Sequence, residues 1–181
     1  MLDKRIFRAE VMKTNVLILF LLISGILAVM AFTDGVTPQN KRFTIVEKAA
    51  EKRLDVLIDG KPFTSYIYPE DIMKPVLYPL RTADGSFITR GWPMDPRPGE
   101  RVDHPHHVGL WFNYGDVNGL DFWNNSTAIP EERKEKYGTI RHRKVNKIQN
   151  GNDKAVLDVT MDWERPDGTR LLREDTRFVF S

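Results

Sequence analysis

The chain has 181 residues, 41% hydrophobic and 29% charged, enough apolar material for one packed domain and too much for a disordered chain. Its net charge of +2 comes from Lys and Arg interspersed with Asp and Glu, so no basic face for nucleic acid is indicated. The absence of cysteine excludes disulfides, thiolate metal sites, thiol nucleophiles and a lipidated cysteine.

Lys4, Arg5, Arg8 and Lys13 precede an uncharged run whose centre is VLILFLLISGILAVMAF, followed by small groups at Val29-Met30-Ala31. Basic, apolar, then small is the export pattern, which makes 1–31 a signal peptide cleaved after Ala31. The run is also about as long as the ~20 residues that span a bilayer, so a retained membrane anchor is the alternative. Both place the folded part outside the cytoplasm, periplasmic, secreted or anchored. No second apolar run of that length follows, so a multi-span membrane protein is excluded. Met12-Lys13 also reads as a natural start.

After a polar linker at 32–42, strand signals come in close succession. They are Phe43–Val46, then Arg53–Ile58 ending at the turn dipeptide Asp59-Gly60, then Phe63–Tyr68 with Pro62 at its start. Val76–Leu80 and Phe87–Thr89 flank Ala83-Asp84-Gly85-Ser86, which reads as a hairpin turn. In the last third, Ala155, Leu157, Val159, Met161 and Trp163 alternate with Val156, Asp158, Thr160 and Asp162. That is the period of a half-buried strand, with Trp163 in the core. Turns at Asn150–Asp153 and Pro166–Gly168 frame it, and Thr139–Ile148 and Arg170–Phe180 are its expected neighbours. The one helical candidate, Pro130–Tyr137, has no apolar stripe and belongs on the surface. The expected fold is therefore all-β, an antiparallel sandwich or supersandwich over 43–181. The chain stops within an apolar strand at Phe180-Ser181, so the expectation is the N-terminal part of a longer domain.

Between the strand-rich parts lies a segment dense in Pro and Gly, where binding groups commonly sit on a β-scaffold. It includes RVDHPHHVGLWF, with three of the four histidines and Asp103 within five positions. In an extended chain His104 and His106 point to one side, a spacing that suits a shared metal ion. His107, Asp103, Asp116, Asp121 and distant His142 are candidates for a third ligand. The cofactor thus stays open, with a divalent metal as one option. Proton transfer is the other chemistry: imidazole titrates near neutrality, Asp103 can orient one ring, and Glu100 or Asp121 can supply the complementary group. A purely structural role, rings bridging loop carbonyls, is the third reading. His142 itself reads as an exposed strand residue. Trp111-Phe112 alternate into a strand, one buried and one facing the site. Trp92, Trp111, Tyr114 and Trp123 among Asp, Asn, His and Arg suit a sugar-like ligand, rings for its C–H faces and polar groups for its hydroxyls. Arg81, Arg90, Arg97 and Arg101 are either an anion clamp or internal ion pairs with Asp95, Glu100 and Asp103. There is no Gly-rich phosphate loop, nucleophile elbow or HExxH.

The run YPLRTADGSFITRGWPMDPRPGERVDHPHHVGLWFNYGDVNGLDFW, with its HPHH core, resembles the hallmark block of the bacterial PmoA-like family, often labelled methane oxygenase PmoA. A weaker likeness extends from Phe43 to the end. A membrane methane oxygenase subunit needs several spans, which this chain lacks. The resemblance implies a longer, commonly secreted protein found among sugar-processing genes, hence a carbohydrate-related small molecule as partner. Within that block, their proton-transfer chemistry makes Asp103, His104, His106 and His107 the candidate catalytic groups. Arg90, Asp95, Arg97, Glu100, Arg101, Trp111, Asp116, Asn118, Asp121 and Trp123 are the candidate ligand-binding groups. The functional expectation is an exported β-sandwich that binds or processes such a ligand through this loop site. The alternatives are a metal-dependent enzyme using His104 and His106, or a non-catalytic surface module.

Overall fold

The computed structural model describes residues 41–181. The export segment, its cleavage point and most of the linker lie outside the described residues. Phe43–Lys48 (β1), Arg53–Ile58 (β2), Lys61–Ile67 (β3) and Val76–Leu77 (β4) form one antiparallel sheet in that order. Alternation drives it: Phe43, Ile45, Leu54, Val56, Thr64 and Tyr66 point inward while their neighbours stay partly or fully exposed. The hairpin between β2 and β3 turns at Asp59-Gly60, both at positive φ, as a tight hairpin loop requires. β3 starts at Lys61, two residues before the expected Phe63, and Pro62 pairs with Leu57 across a register slip at Val56/Leu57.

β4 is shorter than the expected Val76–Leu80. Pro79 has no N–H to donate, and the sheet ends before it. The expected strand at Phe87–Thr89 is instead a single bridge, Arg81 with Phe87, beyond the turn at 82–86.

Thr139–Gln149 (β5), Ala155–Glu164 (β6) and Arg170–Phe180 (β7) form a second antiparallel sheet, a meander with β6 at its centre. Here the expectation of a half-buried β6 is corrected. Ala155, Leu157, Val159, Met161 and Trp163 are buried as the pattern requires, but so are Val156, Thr160 and Asp162 on the other face. Long polar side chains from both neighbours fold over them. Arg143 Nε and Arg173 Nε donate to Asp162 at 2.9 and 3.3 Å, and Asn146 Nδ2 donates to Thr160 Oγ1 at 2.8 Å. Burial alone would push the Asp162 carboxyl up, but these arginines together with Arg170 hold it below its ordinary value.

The two sheets share one core. Leu54, Val56 and Tyr66 of the first meet Leu157, Val159, Trp163 and Phe180 of the second, with Leu120 and Phe122 added from the connecting segment. Each such fully buried side chain stabilises the fold by ~1.5–3 kcal/mol relative to exposure. Phe43 and Gly151 exchange backbone hydrogen bonds of 2.9 and 3.1 Å, tying β1 to the β5–β6 turn. The fold is thus all-β and sandwich-like. Glu131–Lys136 is a short 3₁₀ helix with no buried residue, as its composition predicts. Among the described residues no helix is long and apolar enough to cross a membrane.

Candidate functional site

A second, smaller apolar cluster of Ile72, Val76, Tyr78 and Val108, with Met94 and Trp111 against it, is the platform on which the histidine segment sits. Leu77 and Leu110 exchange backbone hydrogen bonds of 2.8 and 3.0 Å, so the segment is pinned to β4 immediately after the histidines. Gly109 makes that approach possible: it sits at φ +60, and a Cβ there would lie 2.3 Å from the Leu77 carbonyl oxygen.

The histidines do not lie on an extended strand, which corrects the same-side spacing expected for His104 and His106. His104 has φ +47 and its carbonyl accepts from the His107 N–H at 2.9 Å, closing a turn with Pro105 at its second position. Proline's fixed φ favours that turn. The turn nevertheless gathers the rings: centroids lie 5.7 Å apart for His104 and His106, 5.0 Å for His104 and His107, and 4.3 Å for His106 and His107. Among the described residues no three His, Asp or Glu side chains are placed to hold a metal ion.

Arg90 fixes the turn from beneath. It donates to the Asp103 carboxylate at 3.0 Å, to the Asp103 carbonyl, and to the His104 carbonyl at 2.6 Å. Asp103 in turn lies 3.2 Å from His104 Nδ1. The hydrogen bond from Arg90, aided by Arg101 and His104, holds the Asp103 carboxyl below its ordinary value.

Trp111 and Trp123 close the cluster. Trp111 lies 5.8 Å from His107 and 5.8 Å from Trp123, whose ring meets His107 edge-on at 6.3 Å. The expected strand at Trp111-Phe112 does not form, because pairing stops at the single Leu77–Leu110 bridge. Trp111 faces the histidines, while Phe112 is 71% exposed. The Trp111 indole N–H is buried without an acceptor among protein groups.

The remaining candidates build the surrounding loops. Glu100 accepts from the N–H groups of Gly91 and Trp92 at 2.7 and 3.2 Å, and Arg97 reaches Asp95 and Glu100 while lying on the Phe87 ring. Arg101 pairs with Asp103 from an exposed position. Arg81 makes no ion pair among the described residues and covers Phe87 at 4.0 Å. Asp116 caps a tight turn through the Gly119 N–H at 2.9 Å, with Asn118 at φ +53 inside it. Asp121 accepts from the N–H groups of Trp123 and Asn124 and from the Asn124 amide, at 2.8, 2.9 and 2.7 Å. So Asp103, the three histidines, Trp111 and Trp123 come together, Arg90 holds Asp103 and the His104 backbone, Glu100, Asp116 and Asp121 hold backbone N–H groups, and Asp95 pairs with Arg97.

One residue of the site escaped the sequence reading. Lys74 is 3% exposed, donates to the Trp123 carbonyl at 2.7 Å and sits 4.7 Å over the Trp111 ring. Together with His106 it lines a pocket of about 210 Å³ that also includes Val76, Met94, Val108, Asn125 and Ser126. Its one sequence signal is a lysine set among apolar neighbours, Ile72-Met73-Lys74-Pro75-Val76. Burial pushes the Lys74 amine down to about 8 against the pull of Asp121. Burial, with His107, Lys74 and His104 nearby, pushes His106 down to about 4, and His107 is lowered by burial and by the charges of His104, Arg90 and Lys74. Near neutral pH His106 and His107 are therefore neutral imidazoles, each with one donor and one acceptor nitrogen.

His142 corrects a further expectation. It is not an exposed strand residue: its Nδ1 lies 3.1 Å from the Tyr66 hydroxyl, its ring stacks on Tyr68 at 4.0 Å, and burial pushes it down to about 4. It lines a different, open groove with Glu47, Glu70 and Arg143, apart from the other three.

With this geometry in hand, a family model matches residues 53–181, and its description is a family of unknown function, DUF6807. The chain belongs to the DUF6807 family. The DUF6807 match begins at the first residue of β2 and takes in every site residue from Lys74 to Trp123. Comparison with curated proteins and with solved structures returns no match.

Proposed function

We propose that this DUF6807 protein binds a carbohydrate-related small molecule at the histidine turn, outside the cytoplasm, and moves protons on it through His104, His106 and His107. The observation that carries the reading is the convergence of three imidazole rings, none more than 5.7 Å from the next, with two tryptophans and a buried lysine. Neutral imidazoles both give and accept hydrogen bonds, which matches hydroxyl groups, and the Trp111 and Trp123 faces match the C–H surface of a sugar ring. His104 is the ring that a carboxylate orients: its Nδ1 lies 3.2 Å from Asp103, which Arg90 holds in turn at 3.0 Å. The HPHH block that resembles the PmoA-like family supplies all three rings. The extracytoplasmic placement rests on the basic-then-apolar segment at 1–31.

The test is a thermal-shift panel of mono- and disaccharides on the full chain. A sugar at 100 times its Kd stabilises the fold by ~2.7 kcal/mol, and the shift is expected to vanish in His106→Ala. A chelator is expected to leave the response intact, since among the described residues no three His, Asp or Glu side chains are placed to hold one metal ion. A shift that survives His106→Ala would move the ligand elsewhere on the protein.

A further inference from the structure

Among the described residues, no carboxylate meets the Lys74 ammonium by contact. Its single hydrogen bond among them goes to the Trp123 carbonyl, although an ammonium carries three donors. Asp121 bears on it only through space, and the Asp121 oxygens are already taken by N–H groups of Trp123 and Asn124. The pocket beside it is walled mainly by apolar Ile72, Val76, Met94 and Val108 and by neutral Asn125 and Ser126; Asp71, the one acid in its wall, is exposed and makes no ion pair with Lys74. A cation buried without a bonded carboxylate gains most from an anion brought into the same dry surroundings. At about 210 Å³ the pocket takes one small molecule. One lysine balances one negative charge, so a carboxylate fits where a doubly charged phosphate would bring an uncompensated charge into the pocket.

We infer that the ligand is a carbohydrate acid whose carboxylate docks against Lys74 while its hydroxyls meet the histidines. The inference rests on the sugar reading above and adds the charge class that the site selects. Removing the cation also removes the reason for an acid to be preferred.

Isothermal titration of the full chain tests it with glucuronate against glucose, galacturonate against galactose, and glucose 6-phosphate as a separate arm. Each uronate is expected to bind about ten-fold or more tightly than its neutral partner, the size of one charge-assisted contact. Lys74→Met, which keeps length and volume, is expected to erase that difference, and Lys74→Arg to retain it in part. Equal affinity for acid and neutral sugar in the unaltered protein would overturn the inference, with no variant needed. So would a preference that persists in Lys74→Met, or tighter binding of the phosphate than of either uronate. If no sugar of any class binds, the sugar site itself fails, and this inference with it.

Discussion

His106 and His142 both sit near 4 in the folded protein, for related reasons in unrelated places. Burial is the leading cause at each, and at His106 the neighbouring imidazoles and Lys74 add to it. The unfolded chain holds these groups near 6.5, so as pH falls from about 6.5 to about 4 it takes up protons the folded state refuses. Stability therefore declines through that window and levels off for these groups below it. The buried or paired carboxylates, such as Asp55 and Asp162, are held low and lose their contribution only below 3.8. His142→Gln keeps a polar partner for the Tyr66 hydroxyl and cannot charge. Melting temperatures across pH 6.5 to 4 are expected to fall less steeply in this variant, and an unchanged slope would contradict the assignment. Residue type alone disclosed three of these groups as candidates, because a trio of histidines is conspicuous. It could not disclose Lys74 or place His142. A lysine in a loop and a histidine in a basic strand acquire their character from residues 49 and 76 positions away, Trp123 and Tyr66.

At the scale of elements, the histidine turn is held by very little sheet. β4 has two residues, and the Leu77–Leu110 pair is the bridge that fixes the turn to it. Gly109→Ala would place a methyl carbon against the Leu77 carbonyl and require a left-handed alanine. The expected loss is about 2 kcal/mol or more in unfolding free energy, together with the sugar response, measured by denaturant unfolding and thermal shift. Gly138 is a second close approach, and its carbonyl also holds Asn125 of the pocket wall at 2.8 Å. A Cβ there would meet the buried Phe122 ring at 2.0 Å, so Gly138→Ala is expected to destabilise the core by about 1–3 kcal/mol. Alternation made β2 and β6 legible, although β6 proves buried on both faces, and β5 and β7 followed as the neighbours of β6. It failed at Val76–Leu80, Phe87–Thr89 and Trp111-Phe112. In those places proline, a single bridge and site packing replace the ladder, and no sequence period survives to be read.

At the scale of the molecule, two antiparallel sheets carry the stability and an irregular connection between them carries the chemistry. That division explains why the fold class could be read from pattern while the ligand could not. Strands repeat a local rule, whereas a site is one particular meeting of Lys74, His104–His107, Trp111 and Trp123 from three separate stretches of chain. Membership of the DUF6807 family names no substrate. The central claim is that the three imidazoles act as one ligand site. It is tested most directly by following all four histidine ring nitrogens by NMR during titration with a sugar acid. The account predicts that the signals of His104, His106 and His107 shift together along one binding curve while His142 stays unmoved. Independent curves, or a response confined to His142, would contradict it.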